Sequence, residues 1–471
     1  MNQKSILSLV LATLFVASPA QATPALIAIG ALGGTSDLSG LTGNLENGVA
    51  GNILGGLGSG LAWAGGNTFI ATPDRGPNAT PYNSQVDDTT SYVSRFQTLQ
   101  LNLNATANGT LPYTLTTSLA ATTLLSSNSP LTYGSGAGLN LPNGAPLQNT
   151  AGNYYFTGRS DNFATGSASN NANNGRFDPE GVRISRDGKS VFISDEYGPY
   201  VYQFDRATGQ RIRSFELPAN LAATRLSAQG ADEISGNATG RVANKGMEGL
   251  AITPDGSTLI GIMQAPLAQD KNKVVRIVTI DIATGATHEY AYRLTTGSGV
   301  SEIVALNNHQ FLVDERDGKG LGDGSSASVK QLFRIDLTGA TEVSHLTGSA
   351  ADQVALKAAA VQKTLVLDLV SALTAYGIPT SDIPSKIEGL AFGEDITING
   401  ETLHTLYVAN DNDFVPGVAG NNQFFVFALS DTDLGATFAQ QQIPEPKSLA
   451  LVLLGLGAVG FSSRRKPNRA P

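Results

Sequence analysis

No cysteine occurs anywhere in this chain of 471 residues, so it can form no disulfide, no thiolate metal site and no cysteine nucleophile. Histidine is nearly as scarce. His288, His309, His345 and His404 are scattered and lie outside every acidic phrase described below, which argues against histidine-based catalysis. A basic excess is lacking too: 30 Lys and Arg face 39 Asp and Glu, so nucleic acid is not an expected partner. The signatures G-x-S-x-G, the phosphate-binding Walker loop, H-E-x-x-H and R-H-G are all missing. Hydrolysis by a serine triad, a P-loop, a zincin helix or a phosphohistidine is thereby set aside. An exported protein of this composition must hold itself by core burial, with bound metal as the one remaining staple.

Long apolar runs are confined to the two ends. Residues 1–22 carry Lys4, an apolar run over 6–16 and a small-residue Ala20-Gln21-Ala22 site, the layout of a secretory signal. Residues 443–471 open with Ile443-Pro-Glu-Pro446, continue through an apolar run at 448–461 and finish in Arg464-Arg465-Lys466. That run is short of the roughly 17–25 residues a bilayer crossing needs. The order of Pro-Glu-Pro, hydrophobic helix and basic tail closely resembles the PEP-CTERM sorting signal. The resemblance implies recognition and processing by sorting machinery at the membrane, and an address in the cell envelope or outside it. A retained transmembrane helix is the alternative.

Between these ends, residues 23–440 read as one all-β domain. Glycine is abundant, at 53 residues, as many turns require. The stretch 177–218 reads as VRIS, a turn at RDGK, VFISDE, a Tyr-Gly-Pro break, VYQFD, a turn and RIRSFEL. Alternation in Val182, Ile184, Val191 and Ile193 suits half-buried strands. The pattern recurs. Ser59 leads to Asp74, Glu180 to Asp195, Glu248 to Gln264, Glu302 to Asp314 and Glu388 to Asp411. Residues 126–175 read as a long surface excursion and 219–244 as a polar insertion, while 353–376 is the one convincing helix. Repeated four-stranded units predict a β-propeller of about six or seven blades with one helical insertion.

In a propeller the innermost strands converge on a central channel. Glu180, Glu248, Glu302 and Glu388 would then face one another at one mouth. Four like charges in a ring do not ionise cheaply without a counter-cation, and calcium suits a loose all-oxygen set. The competing reading has each Glu locking its own blade through backbone amides.

The phrases Asp178-Pro-Glu-Gly181, Ser194-Asp-Glu-Tyr-Gly-Pro199, Gly246-Met-Glu-Gly-Leu-Ala251, Asp314-Glu-Arg316, Glu388-Gly-Leu-Ala391 and Asn410-Asp-Asn-Asp413 together resemble the phytase-like family, described also by its esterase-like activity. The resemblance runs from about residue 55 to 429. It implies a propeller and a calcium-dependent phosphoric-ester hydrolase acting on a phosphorylated small molecule or polymer. The chain departs from the acidic pattern at Gln264 and at Ser59.

The metal ligands expected from these phrases are Glu180, Asp195, Glu196, Glu248, Glu302, Asp314, Glu315, Glu388 and Asp411. Glu180, Asp195 and Glu248 are the expected catalytic carboxylates. Arg75, Lys245 and Arg316 are the expected phosphate contacts, since a guanidinium matches phosphate in bidentate fashion. A monomer is expected. Two other functions fit the same residues: a non-catalytic, calcium-stabilised binding or matrix protein, and a calcium-dependent esterase or lactonase.

Overall fold

The computed structural model describes residues 24–78, 89–137 and 139–444. The signal-like segment at 1–22 and the apolar and basic parts of the C-terminal segment lie outside them. Among the described residues no helix is long and apolar enough to cross a membrane.

Among the described residues five sheets make up the fold, each built on four antiparallel strands running from the centre outwards, with Ile396–Ile398 added to the last and two short strands to the second. Blade I is Gly60–Trp63, Thr68–Thr72, Arg95–Ala105 and Tyr113–Leu124. Blade II is Pro179–Ile184, Ser190–Asp195, Tyr200–Asp205 and Gln210–Glu216. Blade III is Met247–Ile252, Thr258–Met263, Val274–Asp281 and Thr287–Arg293. Blade IV is Gly299–Ala305, Gln310–Arg316, Lys330–Asp336 and Lys363–Asp368. Blade V is Lys386–Phe392, Glu401–Asp411 and Asn422–Leu429, completed by Ala25–Leu32 from the other end of the chain. The first strand therefore closes the last blade, a clasp that joins the two ends of the propeller. The inner strands pack in the circular order I to V and back to I.

The chain is a five-bladed propeller, so the expectation of six or seven blades is corrected. Two features mislead a count by spacing. Residues 126–175 fill the long gap between blades I and II, but they only add the short strands Ser126–Ser127 and Tyr154–Tyr155 to the outer edge of blade II. The expected helix at 353–376 is two helices, Ala350–Ala358 and Leu369–Tyr376, with the outermost strand of blade IV between them. Both helices begin on a side-chain cap, Ser349 and Asp368, which accepts a backbone N–H of the first turn.

The inner strands are not half-buried. Every residue of Pro179–Ile184, Ser190–Asp195 and Met247–Ile252 is buried. Each blade is sandwiched between two others, so both faces of its inner strands need apolar side chains, and runs such as LIGIM replace alternation. Five apolar cores result, one between each pair of neighbours. Val182, Ile193 and Tyr202 of blade II meet Ile70 and Phe96 of blade I in one of them. Leu406 and Phe425 of blade V meet Leu312 and Leu332 of blade IV in another. Burial on both faces of five sheets stabilises a chain without disulfides, at about 25 cal/mol per Å² of apolar surface removed from water.

Candidate active site at the acidic mouth

Each inner strand starts at one mouth of the channel, and in four blades it starts with a bulge. The register slips between Pro179 and Val182, between Met247 and Gly249, between Val300 and Glu302, and between Ile387 and Gly389. A bulge re-aims the side chain it carries. Pairing across each hairpin then fixes which residues are equivalent. The first tier is Ser59, Glu180, Glu248, Ser301 and Glu388. The second, where the adjoining strand leaves the mouth, is Asp74, Glu196, Gln264, Arg316 and Asp411.

In blades I, II, III and V the glycine after the first-tier residue is needed for strand approach. A Cβ at Gly60 would collide with the Glu180 carbonyl oxygen, and one at Gly181 would come within 2.5 Å of the Leu250 nitrogen. In blade IV this position is Glu302.

One cavity of about 320 Å³ gathers both tiers except Ser301. Its lining includes Asp74, Glu180, Glu196, Glu248, Glu388 and Asp411 together with Arg75, Lys245, Arg316 and Lys386. Of the expected residues, the structure brings Glu180, Glu196, Glu248, Glu388, Asp411, Arg75, Lys245 and Arg316 together here. It sets Asp195, Glu302, Asp314 and Glu315 elsewhere, each for a definite reason.

Asp195 lies one residue before the second tier, and its Oδ1 accepts from the Asp178 and Tyr197 amides at 3.2 and 3.0 Å. Glu302, in the glycine position, turns down the channel to Arg183 at 3.1 Å and accepts from the Leu250 and Ile303 amides. Burial dominates both partners, raising Glu302 to about 7 and lowering Arg183. Asp314 pairs with Glu302 across the hairpin, is fully buried, and has neither oxygen hydrogen-bonded among the described residues. Burial lifts it to about 7, against the pull of Arg316 and Lys330. Glu315 points to the other face of its strand, where it pairs with Lys363 and accepts from the Thr295, Thr296 and Gly297 amides.

Electrostatics in the mouth follow from burial and crowding. Glu180 is pushed well above the ordinary carboxylate range by burial, then by Glu248, Asp178 and Glu196. Glu196 is raised by burial and by Glu248. Glu248 rises to about 7 through burial and Glu388, although Arg316 opposes the shift. Burial likewise brings Glu388 to about 7. One oxygen of Glu248, Oε2, is buried with no hydrogen-bond partner among the described residues. Buried acceptors left in that state call for a donor or a cation.

Among the described residues, two sets of three carboxylates have oxygens within 4.8 Å of one another: Asp178, Glu180 and Glu196, and Asp74, Asp411 and Asp413. Either could hold a metal ion. They differ in what already neutralises them. Lys386 sits in the second set, 2.9 Å from Asp411 and 2.5 Å from Asp413. In the first, among the described residues, only Asp178 makes an ion pair, with Arg75 at 3.1 Å, which also donates to Asn244. Glu180 and Glu196, with Glu248 beside them, form the fuller negative centre. The donors are all carboxylate oxygens, the chemistry of a hard cation.

Asp178, Asp74, Asp413 and Lys386 were not among the expected site residues. Their signal was present in the sequence: Asp178 two residues before Glu180, Lys386 two before Glu388, Asp413 closing Asn-Asp-Asn-Asp and Asp74 closing the first repeat. Asp178, Lys386 and Asp413 sit beside a bulge or turn, where residues two apart converge.

The family model described as phytase-like, esterase-like activity of phytase, matches residues 52–414. This chain belongs to the phytase-like family. The match takes in every mouth residue named above. The family's description is that of an esterase-like hydrolase. A second model, the PEP-CTERM protein-sorting motif, matches residues 442–466 and marks this phytase-like chain for export and sorting to the envelope.

Among curated proteins, an uncharacterized secreted protein of Arthroderma benhamiae is 31% identical over 177 residues, 30% of this chain and 34% of that protein. The match thus spans about a third of the relative's length. Among solved structures, hydrazine synthase of Kuenenia stuttgartiensis aligns with TM-score 0.30 at 11% identity, over 78% of this chain and 79% of that one. The PQQ-bound aldose sugar dehydrogenase of Streptomyces coelicolor aligns with TM-score 0.30 at 11% identity, over 86% and 99%.

Proposed function

We propose that the protein is an exported calcium-dependent phosphoric-ester hydrolase working at the acidic mouth. The observation that carries this reading is the charge of one cavity. Its lining holds six carboxylates and four cationic side chains, two negative charges in excess when all are ionised. Asp178 and Asp413, which join the lining carboxylates in the two sets, add two more acids, so a dication offsets part of the excess, and Asp178, Glu180 and Glu196 are the residues that would hold it. A bound calcium supplies charge for a phosphate oxygen and lowers the pKa of water. Lys245 makes no ion pair among the described residues and is the most available phosphate contact; Arg75 is next, sharing its guanidinium with Asp178. Glu248, raised to about 7 by burial and Glu388, suits a general base. Asp195 has a capping role in this reading and leaves the catalytic set.

The test is release of phosphate from phytate and from a simple phosphomonoester. Activity in calcium, lost in chelator and in Glu180→Gln, is the expected result. A purified protein that binds calcium and turns over no phosphoester would reject the hydrolase assignment.

One observation favours a second reading, a non-catalytic calcium-stabilised propeller. Arg316 and Lys386 are already committed, to Glu388 and to Asp411 and Asp413. A carboxylic ester or lactone substrate would need less of that positive charge, and belongs in the same assay panel.

A further inference from the structure

The chain does not leave the propeller at its last strand. After the short helix Asp431–Leu434, residues 437–443 cross the base of the channel, the end opposite the acidic mouth. Asn307 of blade IV donates to the Thr437 carbonyl at 3.1 Å, and the Ala439 amide donates to the Leu306 carbonyl at 2.8 Å. The Phe438 ring lies 4.4 Å from that of Phe392 and 4.5 Å from His404, both in blade V. The Gln440 amide donates to the Gly393 carbonyl at 2.6 Å, and that of Gln441 to the Ile184 carbonyl of blade II at 3.0 Å. Ile443 is buried with Ala62, Ile184 and Val191 of blades I and II. Seven residues thus bind four of the five blades, and none of the seven is charged.

Pro444-Glu-Pro446, the signature of the sorting motif whose match begins at residue 442, follows at once. Every inner strand runs from mouth to base, six or seven residues in blades II to V. At about 3.3 Å per residue the two ends of the channel are about 20 Å apart.

We propose that residues 437–443 are a fixed strap that hands the sorting motif out at the base of the propeller, so that the acidic mouth points away from whatever envelope surface receives the tail. The strap is held by backbone and amide hydrogen bonds, by the Phe438 amide donating to Asp431 Oδ1 at 2.8 Å, and by two apolar anchors, none of them a carboxylate of the acidic mouth. This inference rests on the fold and the sorting motif, and stands whether or not the mouth hydrolyses a phosphoester.

The chain has no cysteine of its own, so pairs of introduced cysteines can be spin-labelled without background. Gln442→Cys is paired in the full chain with His309→Cys, on an exposed turn at the base, or with Val418→Cys, exposed on the short helix Pro416–Ala419 after Asp413 at the mouth. Two narrow distance distributions are expected, the one to Val418 no shorter than about 20 Å, the length of an inner strand. Broad distributions, or a distance to the mouth well below about 20 Å, would overturn the proposal. Phe438→Ala combined with Gln441→Ala is expected to broaden the base distance, and a peak that stays narrow would refute the assigned contacts.

Discussion

Arg316 of blade IV forms an ion pair with Glu388 of blade V, and its guanidinium lies 3.8 Å from Glu248 of blade III. In the second tier the other blades carry an acid or an amide at this position. Arg316 therefore holds two first-tier carboxylates apart from the group that would take a cation. Removing one partner of a buried pair typically costs about 3–5 kcal/mol, because the other charge is left uncompensated. Arg316→Gln should lose stability of that order in chelator at pH 8, read by denaturant unfolding. Calcium should restore part of the loss, since the freed carboxylates gain a second source of positive charge.

Glu302 and Glu196 should separate structural from ligand roles. Glu302→Gln leaves Arg183 buried beside a neutral amide. It should lower the unfolding free energy by about 3 kcal/mol and leave calcium affinity within twofold. Glu196→Gln should do the reverse, weakening calcium at least about tenfold, or ~1.4 kcal/mol. Parallel calorimetry and denaturant unfolding of the two variants is the measurement.

The stability of the metal-free protein should fall as pH rises. Glu248 and Glu388 are raised to about 7, and Glu180 and Glu196 are raised as well. Their ordinary pKa is 4.5, so between that value and about 7 the folded state binds more protons than the unfolded one. Stability then falls with pH across this window. In chelator the melting temperature should drop between pH 5 and pH 8. In calcium, which binds the ionised form, the drop should be small or absent.

Gly60→Ala should be destabilising for a geometric reason. Its Cβ would meet the Glu180 carbonyl and Thr72 Oγ1 where blades I and II approach. Overpacking of this kind costs about 1–3 kcal/mol. Gly33, with nothing within 4 Å of its Cβ position, is the control and should accept alanine.

The propeller and its ring of carboxylates were legible in the sequence because the repeat keeps a Glu-Gly pair at the start of inner strands. The blade count was not, since residues 126–175 and the helices around Lys363–Asp368 occupy lengths that a further blade would fill. Register was the other failure. In blade IV the ring residue is Ser301, and Glu302 stands in the glycine position; a bulge shifts a side chain by one residue, and spacing alone does not reveal it. The same one-residue ambiguity favoured Asp195 over Glu196, and a two-residue one favoured Asp314 over Arg316. Lys386 and Arg316 show why sequence acidity overstates the site: the fold brings cations from neighbouring blades into it.

Calcium titration of the metal-free protein by calorimetry, beside Glu180→Gln and Glu196→Gln, addresses the mouth most directly. Saturable binding at one or more sites, weakened at least about tenfold in each variant, is the predicted result. No calcium binding, or binding indifferent to both substitutions, would contradict the assignment of this mouth as a metal centre.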